Sequence, residues 1–318
     1  MAFYNHDARH LPNAGSSIVA DLPPYLKMLV ELGSAKYPFL GLAGGLNGAK
    51  IANAWEYDMS QTFDPGAGAD VSISEDAAKT APSATSIARA LNKNVAQIFQ
   101  RKVSVTYARE SDTAGLTNLS TDGASASPEA FQIQGALAKM SRDFGWAGLN
   151  GTKVVSTDST VAYKTGGIIA SATSQVDTAS NSVIVKGDID NLLATMFENG
   201  AEFSESMTIF CNARNKIVLT DLYGIAERNF FVAGISVDRL ITDFGVFNIV
   251  IDQSIDANTI VAADMKYVAP VILPFKSNDI LVEELAKTGA SSDYQIYGQM
   301  GWSFTAPELH GVLTITQP

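Results

Sequence analysis

The feature that most constrains this chain lies between Trp55 and Tyr107, where two runs of alternating polar and apolar residues flank a long segment with no regular pattern. The outgoing run Ala54–Ser60 sets Trp55, Tyr57 and Met59 on one face and Glu56 and Asp58 on the other, the period of two of a half-exposed strand. The return run Arg101–Tyr107 repeats the pattern with Val103, Val105 and Tyr107. Between them, Gln61–Asn94 is about 34 residues rich in Ala, Gly, Ser and Asp, and loops beyond about 15 residues are usually functional or disordered. The two runs are expected to form an arm whose apolar residues Trp55, Tyr57, Val103 and Val105 are covered by a neighbouring chain. Packing against their own domain is the alternative.

Composition points the same way. Of 318 residues, 46% are hydrophobic and only 17% charged, few charges for the surface of an extended monomer, so subunit contacts are expected. The net charge of -11 opposes a protein that grips nucleic acid, because phosphate binding rests on Lys and Arg; an acidic chain can still enclose DNA. The longest apolar runs, such as Val268–Phe275 with its two prolines, fall well short of the roughly 20 residues of a membrane-spanning helix. Residues 1–20 hold no apolar stretch of the kind that directs secretion, so synthesis in the cytosol is expected. Cys211 is the lone cysteine, which excludes an internal disulfide and any CxxC motif; it reads as a small core residue on a strand.

Along the chain, Asp21–Gly33 predicts a short helix, with Asp21 as cap, prolines at its start, Leu26, Leu29 and Val30 as its apolar stripe, and Gly33 as its stop. The strongest helix is predicted from the Ser127 cap and Pro128 to Asn150-Gly151, with Ile133, Leu137, Met140, Phe144 and Ala147 in one stripe and a length of about 30 Å. Gly151–Gly187 reads as loop and short strands. A second helix is expected from Asp188 to Gly200, then the strand Met207–Cys211 and a third helix ending at Gly224. Strands follow at Arg239–Thr242, Val246–Ile251 and Ile260–Ala263, the first two joined at Asp243-Phe244-Gly245. Ile280–Leu285 and Tyr294–Phe304 form a long hairpin around an exposed turn, Lys287–Asp293.

Catalytic machinery is not evident. His6 and His10 are read as part of a solvated tail and His310 as a turn residue hydrogen-bonding locally, so no metal or catalytic role is assigned. Gly41–Lys50 lacks the ending of a phosphate-binding loop and is read as a flexible joint. The pairs Asp188/Asp190 and Glu283/Glu284 are accounted for by helix capping and a solvated strand edge. No cofactor is expected.

Taken in order, Lys36–Gly41, Trp55-Glu56-Tyr57, Ile98–Val105, Gly166-Gly167-Ile168, Asp243-Phe244-Gly245 and Glu284–Gly289 resemble the major capsid proteins of tailed bacteriophages with the HK97-like fold, in the group typified by SU10-type major head proteins. The resemblance covers Leu32 to Thr316. It implies an α+β fold with an N-terminal arm (1–50), an extended β loop (51–109), a peripheral domain carrying a long spine helix (110–187 and 272–305), and an axial α/β domain (188–271 and 306–318). It implies pentamers and hexamers of the chain itself, closing an icosahedral shell around double-stranded DNA in a virion assembled in the host cytoplasm, with scaffold, portal and decoration proteins as further partners. An encapsulin-like nanocompartment is the alternative; a monomeric enzyme and a tail fibre fit less well. Candidate subunit-contact residues are Trp55, Tyr57, Lys79, Arg101, Val103, Val105, Lys287, Thr288, Gly289 and Asp293. Some relatives crosslink a loop lysine to a neighbour's asparagine; Lys79 sits near the arm's tip, where a solvated lysine is the simpler reading. Because one sequence must fill five-fold and six-fold rings, Gly41, Gly44, Gly45, Gly48, Gly115 and Gly123 are expected to act as flexible roots.

Overall fold

The computed structural model describes residues 37–63, 72–81, 86–87, 89–111, 128–178, 184–223, 227–232, 235–275, 280–287 and 289–315. The helix expected over Asp21–Gly33, the Ser127 cap, His6, His10, Gly115, Gly123 and Thr288 lie outside these residues.

A short helix α1 (Phe39–Leu42) and the two-residue strand β1 (Lys50–Ile51) lead into β2 (Glu56–Phe63), β3 (Arg89–Val95) and β4 (Gln97–Thr106). One turn of helix, α2 (Tyr107–Ser111), precedes the long helix α3 (Pro128–Asn150), and α4 (Ile168–Ser171) leads to β5 (Ser174–Asp177). Then come α5 (Lys186–Glu198), β6 (Met207–Cys211), α6 (Ala213–Tyr223) and the strands β7 (Glu227–Val232), β8 (Ile235–Thr242), β9 (Gly245–Ile251) and β10 (Thr259–Asp264). The chain ends with β11 (Val268–Ile272), β12 (Ile280–Glu284), β13 (Ser291–Phe304) and β14 (Gly311–Thr314).

Two sheets organise these elements. In the first, β13 pairs with β4 along one edge and with β11 and β12 along the other, and β1 runs parallel to β11. In the second, seven strands lie in the order β5-β14-β10-β6-β9-β8-β7. The apolar stripe expected on α3 is realised: Met140, Phe144 and Ala147 are buried, with Ile133 and Leu137 packed at the margin. Trp302 is the centre of this core. Its ring lies 4.7 Å from that of Phe144 and 4.9 Å from that of Phe39, and its indole N–H donates to Phe144 O at 3.0 Å. Gly148 is required there, because a Cβ at that position would sit 2.4 Å from the indole ring. Phe39 also meets Phe210 of β6 edge-on at 5.4 Å, so one face of the seven-stranded sheet joins the same core. The other face is covered by α5 and α6 through Leu192, Leu193, Met196 and Leu219.

Local chemistry sets the element ends. α5 starts two residues before the expected Asp188, whose carboxylate accepts the Val185 N–H at 3.0 Å; past its end, Gly200 takes φ +95°, a left-handed conformation open to glycine without strain. The β8–β9 hairpin turns at Asp243-Phe244, and Gly245 takes φ +135°.

Several expectations change. The outgoing strand β2 pairs with β3, which falls inside the segment read as patternless, and Arg101–Thr106 is part of β4 in the main sheet instead. Tyr107 opens α2 rather than ending a strand. Ser291–Asp293, read as part of an exposed turn, are strand residues because β4 extends far enough to pair with them, and Ser292 and Asp293 are buried. The extended loop is therefore shorter than 51–109. By sheet membership β5 belongs with the seven-stranded sheet and β11 with the other, so the expected divisions at 187 and 271 each misplace one strand.

Candidate assembly surfaces

The β2–β3 ribbon is anchored at its root to its own body. Tyr57 is buried, its hydroxyl donates to Trp302 O at 2.8 Å, and burial pushes its pKa far above the usual phenol value. Gly301 is needed beside it, because a Cβ there would lie 2.3 Å from the Tyr57 oxygen. Buried Asn94 donates to Trp302 O at 2.8 Å and Gly166 O at 3.0 Å, and accepts from Gly166 N at 2.8 Å and Val95 N at 2.9 Å. Trp55 stacks on Tyr163 with centroids 5.1 Å apart, and Lys153 reaches both Glu56 at 3.3 Å and Lys93 O at 2.8 Å. Nothing in the sequence marked Asn94: an amide among Ala90, Asn92 and Lys93 carries neither strand propensity nor a motif.

Beyond a register shift at Asp58/Ser60 the ribbon loses this support. Every described residue from Ser72 to Ala81 is exposed, and so are three large apolar side chains of the outer arm: Ile73 at 64%, Ile87 at 56% and Leu91 at 44%. Lys79 is exposed too, paired with Asp76 at 2.8 Å. A two-stranded ribbon is marginal in water, so an outer arm with uncovered apolar residues gains from a second surface.

Val103 and Val105 are covered from within the chain, lying in the core formed with α3. The expectation that a neighbour covers Trp55, Tyr57, Val103 and Val105 is thus corrected, since the same alternation that would suit an arm suits a sheet backed by a helix. Apolar surface awaiting a partner lies further out, on Ile73, Ile87 and Leu91. Arg101 sits beside Val103 on β4 and pairs with Asp143 of α3, which Lys139 also holds, and these hydrogen bonds and charges keep the Asp143 carboxyl below its ordinary range against the opposing effect of burial. Across the ladder, Asp293 is held below the carboxylate range by Lys102, at 2.7 Å, and the Ser104 hydroxyl. Lys287 and Gly289 lie apart from these at the turn between β12 and β13, Lys287 near Glu284 at 3.5 Å and over the Tyr107 ring.

The glycines read as a flexible joint have a fixed local role. Gly44 and Gly45 take φ +91° and +64°, and their N–H groups close α1 onto Gly41 O and Leu40 O. His310 is not a turn residue with local hydrogen bonds. It is fully buried, neither ring nitrogen meets a partner among the described residues, and desolvation pulls its pKa down to about 4, opposed weakly by Asp264. Cys211 is buried on β6 as expected, and burial pushes its thiol up to about 12.

A profile of the SU10 major capsid protein family matches residues 12–317. No curated protein matches the chain. Among solved structures, the capsid of cyanophage A-1(L) superposes with a TM-score of 0.63 at 13% identity, covering 92% of this chain and 96% of that one. The capsid of a native GTA particle gives 0.57 at 11% identity over 91% and 93%. The SrpI encapsulin of Synechococcus elongatus gives 0.52 at 10% identity over 85% of each chain. At these identities the likeness is one of fold, and the fold is the HK97-like one.

Proposed function

This chain belongs to the SU10 major capsid protein family, and we propose that it assembles with copies of itself, as pentamers and hexamers, into an icosahedral shell around the double-stranded DNA of a tailed phage. The protein is structural, not catalytic. The observation that supports assembly through the arm is the outer β2–β3 ribbon, which sets Ile73, Ile87 and Leu91 in solvent on a body whose own core is already closed. Apolar area removed from water contributes about 25 cal/mol per Å², and obligate interfaces commonly bury over 2,000 Å², so a repeated arm contact is a sizeable term in shell stability.

On this reading the five-stranded sheet with α3 is the peripheral part of the subunit, and the seven-stranded sheet with α5 and α6 points toward the capsomer centre. Lys287, Gly289 and their turn lie at the peripheral tip, where three capsomers meet. The acidic balance of -11 keeps the wall from adsorbing packaged DNA. Scaffold, portal and decoration proteins are further partners in a virion assembled in the host cytoplasm.

Sedimentation and negative-stain microscopy of the purified chain test the proposal: closed shells or ring capsomers are expected, and a monomer that stays monomeric at all concentrations overturns it. Particles that enclose proteins and never nucleic acid in the producing cell would favour a compartment of the encapsulin kind. Deleting Val71–Ser86 is expected to leave a folded monomer that no longer assembles, because the deletion lies outside both cores. Intact shells from that variant would remove the arm from the proposal.

A further inference from the structure

Between α3 and the outer edge of β4 runs a groove of about 540 Å³, lined among others by Ile98, Arg101, Met140, Asp143, Trp146 and Asn150. Two large apolar side chains on its walls face solvent, Trp146 at 53% and Ile98 at 46%, while the Arg101–Asp143 pair sits between them and the core. Among the described residues, β4 pairs only with β13, so its far edge borders the groove without a strand partner.

The position at which the chain joins the body bears on what fills this groove. Tyr37 lies under the Arg142 guanidinium, 5.5 Å from ring centroid to carbon, and the Phe39 N–H donates to buried Asp252 at 3.3 Å. Arg142 stands one helical turn from Trp146 on α3. Thirty-six residues precede Tyr37. The segment Leu22–Leu32, with Leu26, Leu29 and Val30 on one stripe, is predicted to be helical and would be about 16 Å long, while the groove follows α3 from Met140 to Asn150, about 15 Å. Five residue steps separate Leu32 from Tyr37, a reach of at most about 17 Å, so the segment can lie along the groove but cannot travel far from it.

We infer that Leu22–Leu32 seats as a helix in the α3–β4 groove of its own chain, laying Leu26, Leu29 and Val30 over Ile98 and Trp146. This is the helix-in-groove mode, in which residues spaced three and four apart anchor an amphipathic helix. The short tether raises the local concentration of the segment and favours its own groove over a neighbour's. The inference goes beyond shell assembly and does not depend on it.

The test is disulfide trapping in the full-length chain, with Leu29→Cys paired with Ile98→Cys and, as the control from the opposite side of the predicted helix, Glu31→Cys paired with Ile98→Cys. Native Cys211 is buried and does not compete. The Leu29 pair is expected to crosslink within one chain about tenfold faster than the Glu31 pair, because only one face of a docked helix meets the groove. A Val30→Cys and Ile98→Cys pair repeats the measurement in case Leu29 is needed for seating. Equal rates for all pairs, or crosslinks exclusively between chains, overturn the inference, the second by giving the groove to a neighbour's segment. Microscopy of wild-type particles reads shell formation separately, so failure of either idea is visible without the other.

Discussion

Asn94 holds the arm by its side chain alone. Its amide bridges three strands' worth of backbone, and its replacement by alanine leaves the Gly166 N–H and O without their side-chain partner in the interior. A buried polar group stripped of its partner costs about 1–3 kcal/mol, so Asn94→Ala is expected to destabilise the unassembled chain by roughly 2–4 kcal/mol in chemical denaturation. A loss under about 0.5 kcal/mol, the size of an ordinary surface substitution, would show that the root is held by Tyr57 and Trp55 instead. His310 carries a second prediction, in which the sign follows from burial. The folded protein holds the imidazole neutral down to about pH 4, whereas the unfolded chain takes up a proton near 6.5. Between those values the unfolded state binds more protons, so the His310 contribution is fully present above pH 6.5 and is lost as pH falls to about 4, a total of about 3 kcal/mol. Asp252, whose carboxyl is raised by burial, acts with the opposite sign as acid is added, so the readout is the difference between wild type and His310→Phe across pH 4–7. Parallel stability curves for the two proteins would refute the His310 assignment. Neither residue announced itself in the sequence, because an isolated Asn or His shows its environment only after distant strands have closed around it.

Elements were more legible than their partners. The stripe on α3, the Met207–Cys211 strand, the hairpin at Asp243–Gly245 and the long β12–β13 pair all follow from local periodicity and glycine position. Strand pairing did not follow, because alternation identifies a face and not a neighbour. Arg101–Thr106 was thus paired with the wrong strand, and Arg89–Val95 was missed altogether, since Ala90, Asn92 and Asn94 dilute the pattern that β2 and its bulge nevertheless satisfy. That error moves the sticky surface outward, and it yields a prediction at this scale. Replacing Ile73, Ile87 and Leu91 by serine removes apolar groups that touch little within the chain, so monomer stability is expected to change by less than about 0.5 kcal/mol per site. Assembly is expected to fail or to require about tenfold more protein, a shift of 1.4 kcal/mol in the contact free energy. Light scattering against protein concentration measures it, and unchanged assembly would mean that the exposed outer arm meets no partner.

For the molecule as a whole, the balance is between apolar contact and like charge. Each copy brings a net charge of -11, and a closed shell gathers many such copies at fixed separations. Repulsion between exposed charges falls off over about 8 Å at physiological salt and about 3 Å at 1 M, while the gain from burying Ile73, Ile87 and Leu91 does not weaken with salt. Where ion pairs exist in the chain, they are internal: Lys102 with Asp293, Arg101 and Lys139 with Asp143, Lys216 with Asp238 at 2.7 Å. They are already made in the monomer and are not available as new attraction between copies. Assembly driven by arm burial against this repulsion is therefore expected to become more favourable as sodium chloride rises from about 0.05 to 0.5 M, with the protein concentration at which particles first appear falling several-fold. Contacts dominated by complementary charge would give the reverse, a threshold that climbs with salt. A single titration of turbidity or light scattering at several salt concentrations separates the two, and a climbing threshold would place the dominant contact on charged surface rather than on the apolar outer arm.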